Sequence, residues 1–160
     1  MHTATSKPST RAVTDAAAVK VSAGTRTPVK YAVEAIGTFF LVVTIGAAVA
    51  GHSALAPLAI GAVLMVMIYA GGHLSGGHYN PAVTLAALIR RRIGVRDAVG
   101  YWLSQIVAGL IAALLVRAVI DPMQTAAPAT LTLTGPTLLA AFVVELLFTF
   151  ALCYVVLNVA

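Results

Sequence analysis

Charge is scarce in this sequence. Of 160 residues only 10 are Lys or Arg and 5 are Asp or Glu, 9% together, where soluble domains carry roughly a quarter. With 60% hydrophobic residues, too little polar surface remains for a water-soluble fold. Cysteine is nearly absent as well: Cys153 stands alone inside an apolar block, which excludes an intrachain disulfide and a cysteine-based metal site and leaves it as a packing residue. Residues 1–30 lack an apolar stretch long enough for a signal-peptide core, so the first membrane span is expected to act as an uncleaved insertion signal behind a disordered cytoplasmic tail.

What is present is apolar sequence in blocks. Crossing a hydrocarbon core takes about 20 helical residues, and four blocks of that kind are expected to span at about 31–50, 54–72, 97–117 and 137–160. Together they make residues 31–160 an all-α membrane domain. The net charge of +5 could suggest a nucleic-acid partner, but its placement argues otherwise. Lys7, Arg11, Lys20, Arg26 and Lys30 precede the first span, and Arg90, Arg91, Arg92 and Arg96 separate the second from the third. That alternation is the positive-inside pattern, which puts the N-terminus in the cytoplasm and makes the chain a multi-pass protein of the cell (plasma) membrane. No nucleic-acid partner is expected.

Between the second and third spans lies a segment, about 73–90, that enters the membrane without crossing. Its glycine-rich start, from Gly71 through Gly77, reads as extended chain, because glycine admits positive φ and close backbone approach. At Asn80-Pro81 the character changes. Asn is a favoured N-cap and Pro a favoured first helical residue, and Ala82 to Ile89 is a good helix-forming run. About nine residues give roughly 13 Å, which cannot span a bilayer. The segment must dip and return, with Asn80 deepest. Non-helical backbone at that depth is tolerated only inside protein or beside a wet cavity, so a water-filled path is expected beside residues 76–80.

The run Gly72-His73-Leu74-Ser75-Gly76-Gly77-His78-Tyr79-Asn80-Pro81-Ala82-Val83-Thr84 resembles the first signature box of the major intrinsic protein family, the aquaporins and glycerol facilitators. The resemblance extends to Glu34 through Leu41 and to Asp97 through Gln105 with Tyr101-Trp102. It implies an aquaporin-like right-handed helix bundle made of two inverted repeats, each with three spans and a re-entrant half-helix. A trace of that duplication is visible here: Glu34, Thr38, Phe39 and Leu41 recur as Glu145, Thr149, Phe150 and Leu152, each shifted by 111. The fourth span then looks like the opening of the second repeat. A second Asn-Pro-Ala box and two further spans do not follow within these residues, so an incomplete domain is the expectation.

The resemblance also implies roles. Asn80 would donate hydrogen bonds into a pore, and the carbonyls of Gly76, Gly77 and His78 would form a ladder of acceptors. Pro81 would set the helix start, Ala82 would keep the passage narrow, and Val83 would add an apolar wall. The positive end of the short helix would repel cations. Glu34 and Glu145, costly in hydrocarbon, would support re-entrant loops. Ile60 corresponds to a position of the family's outer selectivity constriction, where an aliphatic residue argues against strict water selectivity. The implied function is a passive channel for water or small neutral solutes such as glycerol, embedded in a lipid bilayer as a homotetramer. The alternative is a non-transporting membrane protein that only inserts or associates with relatives through small residues such as Gly109 and Ala113. No enzyme activity, cofactor or metal is expected, since His73 and His78 have neither a third ligand nor a partnered nucleophile in the sequence.

Overall fold

The computed structural model describes residues 27–120 and 134–159. All regular structure among them is helical: α1 Thr27–Ala50, α2 Ala56–Ser75, α3 Pro81–Ile89, α4 Val95–Leu115 continuing as a π-turn over Val116–Ile120, and α5 Pro136–Val159. Four of these, α1, α2, α4 with its π-turn, and α5, are long and apolar enough to cross a membrane. The fifth, α3, has only 9 residues. Of the expected cytoplasmic tail, residues 1–26 lie outside the described residues, as do 121–133 and Ala160.

Two boundaries differ from expectation. Thr27 to Lys30, placed in the tail, form the first turn of α1. Pro28 is tolerated there because a first-turn N–H has no helical partner, and Lys30 pairs with Asp97 of α4 at 3.9 Å. The second difference lies at the glycines. Rather than turning extended at Gly71, α2 stays helical through Ser75 and ends at Gly76, whose left-handed backbone (φ 90°) sends its N–H to Gly72 O at 2.7 Å. Glycine costs about 1 kcal/mol in a helix relative to alanine, but packing requires it here. A Cβ on Gly71 would stand 2.5 Å from Val33 Cγ1 and 2.7 Å from Tyr79 Oη.

α1 and α2 form an antiparallel hairpin, closed at one end by residues 51–55 and at the other by Val33 against Gly71. α1 and α4 run side by side in the same direction. Their contacts advance together, from Tyr31 on Gly100 and Tyr101, through Glu34 on Gln105 and Val42 on Gly109, to Gly46 on Val116. Side-by-side packing in one direction requires an intervening return, which α2 supplies. α3 then lies against both α4 and α5. The buried centre of the described structure is therefore the junction of α1, α4 and the α2–α3 connection, where Glu34, Tyr79, Val83, Thr84, Tyr101 and Gln105 are all buried.

Candidate functional site

Residues 76–80 reverse the chain between α2 and α3. Three of the first four have positive φ, namely Gly76 (90°), Gly77 (63°) and Tyr79 (47°). For a tyrosine this conformation is strained, and it is held from several sides. The Tyr79 ring fills a slot over two glycines, where a Cβ on Gly37 would come within 2.2 Å of Tyr79 Cε1. Its hydroxyl donates to Met67 O at 2.9 Å, so the ring points back along α2.

The main tie is a single carboxylate. Glu34, fully buried in α1, accepts from Ser75 Oγ at 2.7 Å and His78 N at 2.9 Å through Oε1, and from Tyr79 N at 2.7 Å and Gln105 Nε2 at 2.8 Å through Oε2. A carboxylate offers about four lone-pair sites, and all are used. Ser75 Oγ in turn accepts from Gly77 N at 3.1 Å. A buried backbone N–H left without a partner would cost ~1–3 kcal/mol, so one glutamate supplies what the irregular loop would otherwise lack.

α4 clamps the same loop from the other side. Tyr101 Oη donates to Ser75 O at 2.6 Å, covering the last carbonyl of α2, and Trp102 Nε1 donates to Pro81 O at 3.1 Å in the first turn of α3. Gln105 Nε2 also donates to Thr84 Oγ1 at 3.0 Å. Since its amide nitrogen must face Glu34 and Thr84, Gln105 Oε1 points away and is buried without a partner among the described residues. Thr84 Oγ1 donates back to Asn80 O at 3.2 Å and lies 3.1 Å from His78 Nδ1.

Asn80 begins α3 as expected from its sequence: extended (φ −153°, ψ 130°), with Oδ1 accepting from Ala82 N at 2.8 Å. That bond orients the amide. Its Nδ2 has no hydrogen-bond acceptor among the described residues, and the carbonyls of Gly76, Gly77 and His78 accept no hydrogen bond among them either. The loop therefore combines unused donors and acceptors with backbone N–H groups that are tied down, and it is half-exposed at Gly76, His78, Asn80 and Ala82.

The other candidates fall in different places. Val83, expected as an apolar wall, is fully buried and presents no surface to the loop's open side. It lies on the face of α3 shared with Thr84 and Ala87, which packs inward, while Pro81 and Leu85 face outward. Ile60 lies half-buried in α2, 15 residues before Ser75, or about 22 Å from it along the helix axis. Glu145 is exposed on α5 and makes no hydrogen bond or ion pair among the described residues. Ser75, Tyr79, Thr84, Tyr101, Trp102 and Gln105 carry the framework, although the sequence assigned none of them a role. Gln105 was the most findable, as a polar side chain in an otherwise apolar span.

Comparison with known proteins follows the same lines. The sequence profile described as "Major intrinsic protein" matches residues 47–160. A glycerol uptake facilitator protein-like 6 of Lactiplantibacillus plantarum is 42% identical over 139 residues, covering 81% of this chain and 62% of that protein. Aquaporin NIP2-1 of Oryza sativa subsp. japonica is 38% identical over 135 residues, 79% of this chain and 44% of its own length. The probable aquaporin TIP3-2 of Arabidopsis thaliana is 37% identical over 110 residues, 69% of this chain and 40% of its own length. The chain thus spans between 40% and 62% of these curated relatives. With a profile match over most of its length and relatives 37–42% identical, the chain belongs to the major intrinsic protein family.

Proposed function

We infer that this chain contributes to a passive transmembrane channel for water and small neutral solutes such as glycerol, and that it is not an enzyme. The observation that carries this reading is the polarity of the loop from Gly76 to Asn80. Its inward N–H groups are consumed by Glu34, while the Asn80 amide and the carbonyls of the half-exposed Gly76 and His78 are left to a passing molecule; Gly77, expected to join them, is buried. A solute that both donates and accepts hydrogen bonds can exchange its hydration for such a ladder; an ion meets the positive end of the α3 dipole. The relatives' names, one a glycerol uptake facilitator-like protein and two aquaporins, support the same class of solute.

In this reading Pro81 fixes the helix start, Ala82 narrows the passage, and Ile60 belongs to a separate constriction toward the other membrane face. The arginine-rich turn after α3 keeps the N-terminus of the protein cytoplasmic, and the working assembly is a homotetramer in the plasma membrane. Glu145 would serve a second loop as Glu34 serves the first, by the 111-residue repeat.

The test is osmotic shrinkage and glycerol uptake by stopped-flow light scattering in liposomes holding the chain, an Asn80→Asp variant, or no protein. The expected result is permeability above empty vesicles that falls to their level in the variant. Incorporated protein without permeability above empty vesicles would refute transport by this chain and leave a protein that only inserts or associates.

A further inference from the structure

The faces of α1 and α4 turned away from α2 enclose a groove of about 500 Å³. Ile36, Phe39 and Phe40 line it from α1, and Leu103, Val107 and Ile111 from α4. Its one polar side chain, Ser104, spends its hydroxyl on Gly100 O at 2.8 Å. A polar ligand would find no side-chain partner there, and both walls are helices of membrane-spanning length and composition. A hydrocarbon chain is the occupant that such a lining accepts.

The charge at one end narrows the choice further. Arg96 precedes Leu103 by seven residues and Val107 by eleven, which places all three within about 20° of one line on the helix surface at 3.6 residues per turn. It is exposed, and no carboxylate lies within ion-pair distance among the described residues. Its neighbour Asp97 is occupied by Lys30 at 3.9 Å and by the Tyr31 hydroxyl at 3.3 Å. Arg90, Arg91 and Arg92 are exposed on the adjoining turn, so this end of the described structure sets five basic side chains, with Lys30, against the single acid Asp97. The dimensions agree with one leaflet. From Leu103 to Ile111 the groove rises about 12 Å, within the ~15 Å of half a hydrocarbon core, and Arg96 lies about 10 Å below Leu103, toward the interface.

We propose that the α1–α4 groove with Arg96 is a binding site for an anionic phospholipid, whose phosphate sits on the Arg96 guanidinium while one acyl chain lies between Phe39, Phe40, Leu103 and Val107. The site does not depend on permeation by this chain. It differs from bulk lipid contact in requiring a cation and an apolar channel on the same helix stripe.

The experiment uses the full chain with its only cysteine removed (Cys153→Ser) and a bimane label on Leu110→Cys, a residue exposed beside the groove and outside its lining. Quenching is titrated in vesicles with phosphatidylglycerol or phosphatidylcholine carrying the same brominated acyl chains. The expected result is saturable quenching at low mole fraction by phosphatidylglycerol alone, with the half-saturating fraction raised about five-fold by Arg96→Gln and the saturable phase lost in Val107→Trp, which fills the groove. Equal quenching by the two lipids, or a phosphatidylglycerol preference that survives Arg96→Gln, would overturn the proposal. So would the absence of quenching by either lipid, which would mean that another polypeptide segment or a second copy covers the groove. Retention of α-helical circular dichroism by each variant is the folding control.

Discussion

Replacing Glu34 by glutamine tests the framework at its centre. The side chain keeps its size, but one of its oxygens becomes an NH2 group facing donors. If the nitrogen takes the Oε2 position, the N–H groups of Tyr79 and Gln105 both lose their acceptor. With the nitrogen at Oε1, the Ser75 hydroxyl can rotate to accept, leaving only His78 N–H opposed. The second arrangement is the cheaper, at ~1–3 kcal/mol for one orphaned backbone donor. The two bonds kept at Oε2 also pass from carboxylate to neutral acceptor, and the Ser75 bond reverses so that the glutamine donates, so the total is about 2–5 kcal/mol. Each 1.4 kcal/mol is tenfold. Amide exchange across residues 75–80 should therefore accelerate by at least ~30-fold relative to the rest of the chain, provided local opening governs exchange. The assay is hydrogen–deuterium exchange by mass spectrometry in mild detergent, with Glu145→Gln, exposed on α5, as the control expected to change nothing at this loop. Exchange within threefold of the parent protein in Glu34→Gln would refute the claim that this carboxylate holds the loop.

Other expectations follow from the same geometry. Gly37→Ala drives a methyl into the Tyr79 ring, with overpacking worth about 1–3 kcal/mol, whereas Tyr79→Phe loses one hydrogen bond, to Met67 O, worth about 1 kcal/mol. Thermal melts in detergent should rank Gly37→Ala as the more destabilised, and the reverse order would mean that the ring is not confined to that slot. In vesicles, Ile60→Phe should depress glycerol permeability about ten-fold more than water permeability if Ile60 borders a constriction; equal depression of both would remove it from the selectivity position.

Several features were legible because they depend on local chemistry. The apolar blocks read as spans because lipid admits only backbone that is hydrogen-bonded within its own helix. The start of α3 was readable at Asn80-Pro81, since an N-cap and a first-turn proline act over three or four residues. The glycine run was harder to interpret. Gly71 and Gly72 permit extended chain, yet both continue α2, and the glycine at 71 answers to packing instead, since Val33 and the Tyr79 hydroxyl occupy the space that a side chain would fill. Val83 shows the same limit. The family resemblance implied a wall residue there, whereas the packing of α3 turned that face inward.

The sequence by itself determined the membrane class, the number of described spans, the helix too short to cross, and the polar residues able to act within apolar surroundings, because hydropathy, helix length and capping are properties of neighbouring residues. Only the tertiary structure decided how they are used. Glu34 and Gln105 are 71 residues apart, and Tyr79 and Met67 are 12 apart across the chain reversal after α2. The parallel register of α1 and α4 brings Glu34 and Gln105 together beneath the loop. A buried carboxylate is tolerated where four donors converge, and that convergence is a matter of packing geometry between distant segments, which no local pattern encodes.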